Sequence, residues 1–136
     1  MTSLATVSTL DGLVPDALRP RRFRIFLEDF ELPVDIGFHA FEVGAPQRLL
    51  VTVDVEIDAD AFAAEDSEAA AWNYDFLRTE IQRLASGRRF NLQETFARAV
   101  YDLVAARQGV TGLRVATRKP DVYSDCRAVG VELSSG

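Results

Sequence analysis

The stretch LLVTVDVEID, Leu49 to Asp58, decides the fold. Leu49, Val51, Val53, Val55 and Ile57 fall on one side of an extended chain, while Thr52, Asp54, Glu56 and Asp58 fall on the other. A strict period of two with β-branched residues on the apolar side predicts a long strand with one buried face. Upstream, Phe23, Ile25 and Leu27 alternate with Arg24, Phe26 and Glu28. Apolar residues resume at Phe30, Leu32 and Val34 before Gly37. Gly44, Ala45 and Pro46 break the chain between the two runs, which predicts an antiparallel pair. Downstream, an alanine-rich acidic connection from Ala59 to Ala71 shows no period.

The period then becomes helical. Tyr74, Leu77, Ile81 and Leu84 recur at spacings of three and four, and Gly87 ends that helix. Leu92, Phe96, Val100, Leu103 and Val104 form the stripe of a second helix, with Asn91 offered as its N-cap and Gly109 as its αL stop. Two further alternating segments, Leu113, Val115, Thr117 and then Val129, Val131, Leu133, are joined through KPDVYSD. The order is ββααββ. A one-sided antiparallel sheet of four strands with two adjacent amphipathic helices to cover it is an α+β two-layer unit.

Composition bounds the function. With 136 residues the chain holds one domain, 22–136, preceded by a Ser/Thr/Asp/Pro-mixed segment, 1–21, read as a flexible extension. A net charge of −6, from 21 acids and 15 bases spread along the chain, argues against a nucleic-acid or anionic-membrane surface. One cysteine, Cys126, and one histidine, His39, leave no internal disulfide and little for a metal site. No apolar run approaches the roughly 20 residues of a membrane span, and Met1 to Leu18 lacks the form of a signal peptide. A cytoplasmic protein acting on a small molecule is expected. Cys126 and Trp72 read as packing residues.

Against that background Glu42, Glu94 and Lys119 stand out at the ends of patterned segments. Each has a plain reading. Glu42 is an acid in a turn, and Lys119 a surface lysine held extended by Pro120. Glu94, three residues after Asn91, completes a capping box at the positive end of a helix dipole. Tyr74 at a helix start is a half-buried packing residue with a wet hydroxyl.

Taken together and in order, GFHAFEVGAPQ from Gly37, the WNYDFL around Tyr74, LQETFA around Glu94, the KP at Lys119 and the closing AVGVEL strand resemble the dihydroneopterin aldolases of folate biosynthesis. The resemblance spans about Phe23 to Leu133. It implies the tunnelling fold and retro-aldol cleavage of 7,8-dihydroneopterin without metal or cofactor. In its terms Lys119, with a bound water, is the general acid/base, and Tyr74 reaches a neighbouring subunit's site to assist proton transfer. Glu94 holds the pterin ring, Glu42 binds the side-chain hydroxyls, and Leu92, His39 and Gln47 are lesser binding positions. The resemblance also implies a homo-oligomer, an octamer of two four-membered rings. Val43, the AAAWNY approach to the tyrosine and the DVY after KP depart from the usual pattern and bear on loop shape and substrate preference. A 2′-epimerase of the same fold and a non-catalytic pterin binder are the competing readings.

Overall fold

The computed structural model describes residues 10–136; the first nine residues of the expected extension lie outside the described residues. Residues 10–21 carry two short 3-10 turns, Asp11–Leu13 and Asp16–Leu18, and lead into the first strand. The main elements are β1 (Phe23–Val34), β2 (Gln47–Ile57), α1 (Asp75–Gly87), α2 (Gln93–Ala105), β3 (Val110–Lys119) and β4 (Val129–Ser134). All strand pairs are antiparallel, and the order across the sheet is β1-β2-β3-β4. This is the expected ββααββ unit.

One feature of β1 explains an oddity of its sequence. Its inward residues are odd-numbered up to Leu27 and even-numbered from Phe30, which would put half the strand on the wrong face. Between the pairs Leu27↔Val53 and Phe30↔Val51 the register slips by one residue, with Asp29 at φ 53° donating its N–H to Thr52 Oγ1 at 3.0 Å. The extra residue of this bulge returns the second half of β1 to the core face. Leu32 and Val34 are buried as a result.

The helices cover that face. Leu77 and Ile81 of α1 and Phe96, Val100 and Val104 of α2 meet Val51, Val53, Val55 and Val115 of the central strands, all without solvent exposure. The opposite face carries ion pairs across strands: Arg22 with Glu56, Arg24 with Asp54, Arg114 with Glu132 and Arg118 with Asp29. Exposed pairs of this kind add little stability, so the apolar layer holds the fold.

Three local expectations are corrected. Asn91 does not cap α2; Leu92 is the N-cap residue, in extended conformation, because the Asn91 side chain instead accepts a hydrogen bond from Arg89 Nη1 at 2.8 Å. Glu94 is therefore the second helical residue, and the capping box is absent. Gly109, at φ 88°, lies beyond the end of α2 and turns the chain into β3. Cys126 is exposed rather than packed, whereas Trp72 does pack, edge-on to Phe76 with ring centroids 5.4 Å apart. The Ala59 to Ala71 connection forms two 3-10 turns, too short to leave a period.

Candidate active site

Topology brings two candidates together at one end of the sheet. β2 starts where β3 ends, with Leu50 opposite Arg118, so the β1–β2 loop that carries Glu42 closes over Lys119. Lys119 Nζ lies 3.4 Å from Glu42 Oε2, and both side chains are only 12% exposed. The same oxygen accepts from Gln47 Nε2 at 2.8 Å, and Oε1 accepts from the His39 backbone N–H at 3.1 Å. Gln47 Nε2 also reaches the Ile36 carbonyl at 2.6 Å, which ties the loop's two ends.

The Glu42 carboxyl lies below the ordinary carboxylate range: burial pushes it up, but the hydrogen bonds from Gln47 and the His39 N–H and the charge of Lys119 outweigh that. The folded state thus favours the ionised form. The stability this contributes is present above the unfolded carboxyl's pKa, about 4.3, and is lost as pH falls through the lower folded value. Glu42→Gln is expected to narrow its stability gap to the parent as pH falls below about 4, which urea unfolding from pH 3 to 7 measures; a gap constant with pH would sink the assignment.

Gly37 is what lets this carboxylate sit where it does. Its φ is 131°, and a Cβ built there would stand 2.2 Å from Glu42 Cδ. Gly37→Ala therefore strains the backbone and expels the Glu42 carboxylate, at an expected cost of about 1–3 kcal/mol. A thermal melt together with loss of the Glu42–Lys119 contact in a structure of the variant checks it.

The start of α2 is fixed on the sheet beside this pair. Gln93 and Thr117, both buried, are joined by a Thr117 Oγ1 hydrogen bond to Gln93 Oε1 at 2.7 Å. Thr117 lies two residues before Lys119, so this bond anchors LQET next to it. Glu94, one residue on, is exposed, and its side chain makes no hydrogen bond or ion pair among the described residues. Its carboxylate is free to take a ligand, and it sits in the first turn of a helix, where negative charge is favoured. Leu92 is partly exposed before it. The exposed His39 ring lies between Phe38 and Phe41, at centroid distances of 4.4 and 5.3 Å. A recess of about 370 Å³ opens beside Glu42, lined also by Phe41, Gln47, Arg48 and Asp121.

Tyr74 is not part of this cluster within one chain. It is the N-cap residue of α1 and 59% exposed. Trp72 Nε1 donates to the Gln108 carbonyl at 3.1 Å, which fixes the approach to α1 beside the start of β3. Lys119 ends that strand, roughly 30 Å away at about 3.3 Å per residue. A larger recess, about 850 Å³, is also at the Tyr74 end, lined by Trp72, Asn73, Arg107 and Asp58 among others.

Sequence reasoning missed Arg89, Asp35 and the Gln93–Thr117 bond. The one available signal was Thr117, a hydroxyl on the apolar side of a strand. Among the described residues no group of His, Cys, Asp or Glu could hold a metal ion, and no helix is long and apolar enough to cross a membrane.

A ββααββ sheet-and-helix unit with an acid–lysine pair at the end of its central strands and a free acid on the adjoining helix has the polar groups of a candidate small-molecule site of the enzyme type. Residues 25–134 match the FolB dihydroneopterin aldolase family model, and the chain belongs to that family. It is 27% identical over 113 residues to a dihydroneopterin aldolase of Haemophilus influenzae, covering 83% of this chain and 96% of that protein. The structure resembles a dihydroneopterin aldolase from Burkholderia thailendensis solved bound to guanine, at TM-score 0.73 and 30% identity, covering 83% of this chain and 89% of that one. It also resembles the Escherichia coli dihydroneopterin aldolase solved in complex with neopterin, at TM-score 0.76 and 25% identity, covering 84% and 99% of the two chains.

Proposed function

We propose that this chain cleaves 7,8-dihydroneopterin by a retro-aldol reaction into 6-hydroxymethyl-7,8-dihydropterin and glycolaldehyde, in folate biosynthesis. The observation that carries the reading is the largely covered Lys119 ammonium 3.4 Å from Glu42, with the start of α2, which carries the unpaired Glu94 carboxylate, anchored to the same strand through Gln93 and Thr117. Guanine and neopterin, the ligands of the two related structures, share an amino group beside a ring N–H. A free carboxylate offers two acceptors to that paired-donor edge, the role assigned to Glu94.

The chemistry asks for proton movement and little else. The C6–N5 imine of the dihydropterin is the electron sink: as the 2′-hydroxyl gives up its proton, the C1′–C2′ bond breaks, glycolaldehyde leaves and the electron pair enters the ring. A proton then returns to C1′. Lys119, with a water, serves these transfers, and Glu42 holds the side-chain hydroxyls so that transfer occurs in a productive pose. His39, Gln47 and Leu92 line the substrate's approach.

Tyr74 assists from a second copy, since its own Lys119 is a strand's length away. Both sheet edges, β1 and β4, are open to such a copy. The assembly is a homo-oligomer, an octamer of two four-membered rings, and the catalytic unit spans 22–136 in the cytoplasm. Incubation with 7,8-dihydroneopterin and chromatography of the products tests the reaction. Hydroxymethyldihydropterin with glycolaldehyde supports cleavage; the 2′ epimer alone would make the chain an epimerase.

A further inference from the structure

Arg89 has no part in the chemistry above, yet its side chain makes three hydrogen bonds near the site. It stands on the short connector between α1 and α2, five residues before Glu94, and all three of its guanidinium nitrogens are used. Nε donates to Asp35 Oδ1 at 3.1 Å, Nη1 to Asn91 Oδ1 at 2.8 Å, and Nη2 to the Gly37 carbonyl. Asp35 Oδ1 also accepts from the Gly44 N–H at 3.1 Å. Backbone bonds run alongside, from Gly37 N–H to the Phe90 carbonyl at 3.0 Å and from Phe90 N–H to the Asp35 carbonyl at 3.1 Å.

Asp35, Gly37 and Gly44 are the two ends of the loop that carries Glu42, and Asn91 leads into Leu92 and Glu94. One planar fork therefore joins the loop of one carboxylate to the helix start of the other. The Arg89–Asp35 pair is three-quarters covered on the arginine side, so water competes with it less than on an open surface. The inference rests on the pterin reading of the site, in which Glu94 takes the ring and Glu42 the side chain.

We propose that Arg89 is a positioning residue that sets the separation of Glu42 and Glu94, so that one substrate molecule engages both. A clasp of this kind contributes only when a ligand spans both groups. A ring without the hydroxylated side chain draws on Glu94 alone and is indifferent to it. Lysine keeps the charge but cannot reproduce the three-way fork.

The test compares neopterin with 6-methylpterin, oxidised rings that differ in the side chain, on the parent, Arg89→Lys and Asp35→Asn. Backbone amide exchange at residues 37–44 is followed in parallel. In Arg89→Lys, neopterin is expected to weaken by about tenfold and 6-methylpterin by less than about twofold, with faster exchange across the loop. Asp35→Asn, which keeps an acceptor for Gly44, shifts both readouts the same way by less, and stands in if the lysine variant fails to fold. Equal weakening of the two ligands, or unchanged exchange at residues 37–44, overturns the proposal. If the parent binds neither ring the pterin reading fails, and the exchange rates alone decide for or against the clasp.

Discussion

Lys119→Ala is expected to lower kcat for cleavage of 7,8-dihydroneopterin by about 10²–10⁴-fold, the range for removing a general acid/base. Binding is expected to survive. Among the described residues the polar contact of the Lys119 ammonium is with Glu42 at 3.4 Å, and that carboxylate keeps its hydrogen bonds from Gln47 and the His39 N–H when the ammonium is gone. The loop should therefore hold its shape. Glu94, the carboxylate proposed to hold the ring, belongs to a helix whose seat on the sheet runs through Gln93 and Thr117, which the substitution does not touch. Steady-state kinetics with a parallel titration of neopterin separates the two effects. A loss of turnover under about tenfold, or neopterin affinity falling as far as turnover, would remove Lys119 from the chemistry.

The second large effect concerns affinity. In the proposed site, Glu94→Gln exchanges one of two acceptors for an amide N–H₂ that would face the donors of the pterin edge. Hydrogen bonds to a charged group are worth about 1.5–3 kcal/mol each, so a loss near 3 kcal/mol, or about 10²-fold in Kd, is expected. Stability should scarcely move, because the Glu94 side chain is exposed, makes no hydrogen bond or ion pair among the described residues and contributes only through the helix dipole. Calorimetric titration with neopterin and a thermal melt of the same preparation check both halves. An unchanged Kd, or a melt lowered as much as affinity, would return Glu94 to a merely helical role.

The fold was legible because burial is written locally. The alternation at Leu49 to Ile57 and the stripes through Leu77 and Ile81 and through Phe96, Val100 and Val104 report which face each element hides, and the hidden faces admit few arrangements. Even the switch from odd to even residues in β1 was visible, though its cause, the bulge at Asp29, was not. The site was legible only as a set of conspicuous residues. Glu42 and Lys119 are 77 positions apart, and nothing local in either segment states that they meet. The same holds for Arg89 and Asp35, whose pairing also took Asn91 away from the helix cap that its spacing suggested. Periodicity reports faces, not partners. For Tyr74 the sequence could say that it opens a helix. Only the length of β3 shows that it stands far from the lysine of its own chain.

That separation makes the shared site the central claim, and mixed assembly tests it most directly. Lys119→Ala and Tyr74→Phe chains, each impaired alone, are co-expressed with different tags and the mixed oligomer is purified through both. If Tyr74 serves a neighbour's Lys119, random mixing gives both native residues to about one site in four, and activity should return to about a quarter of the parent's. If lysine and tyrosine had to come from one chain, no site in the mixture would hold both, and activity no higher than that of the separate variants would contradict the shared site.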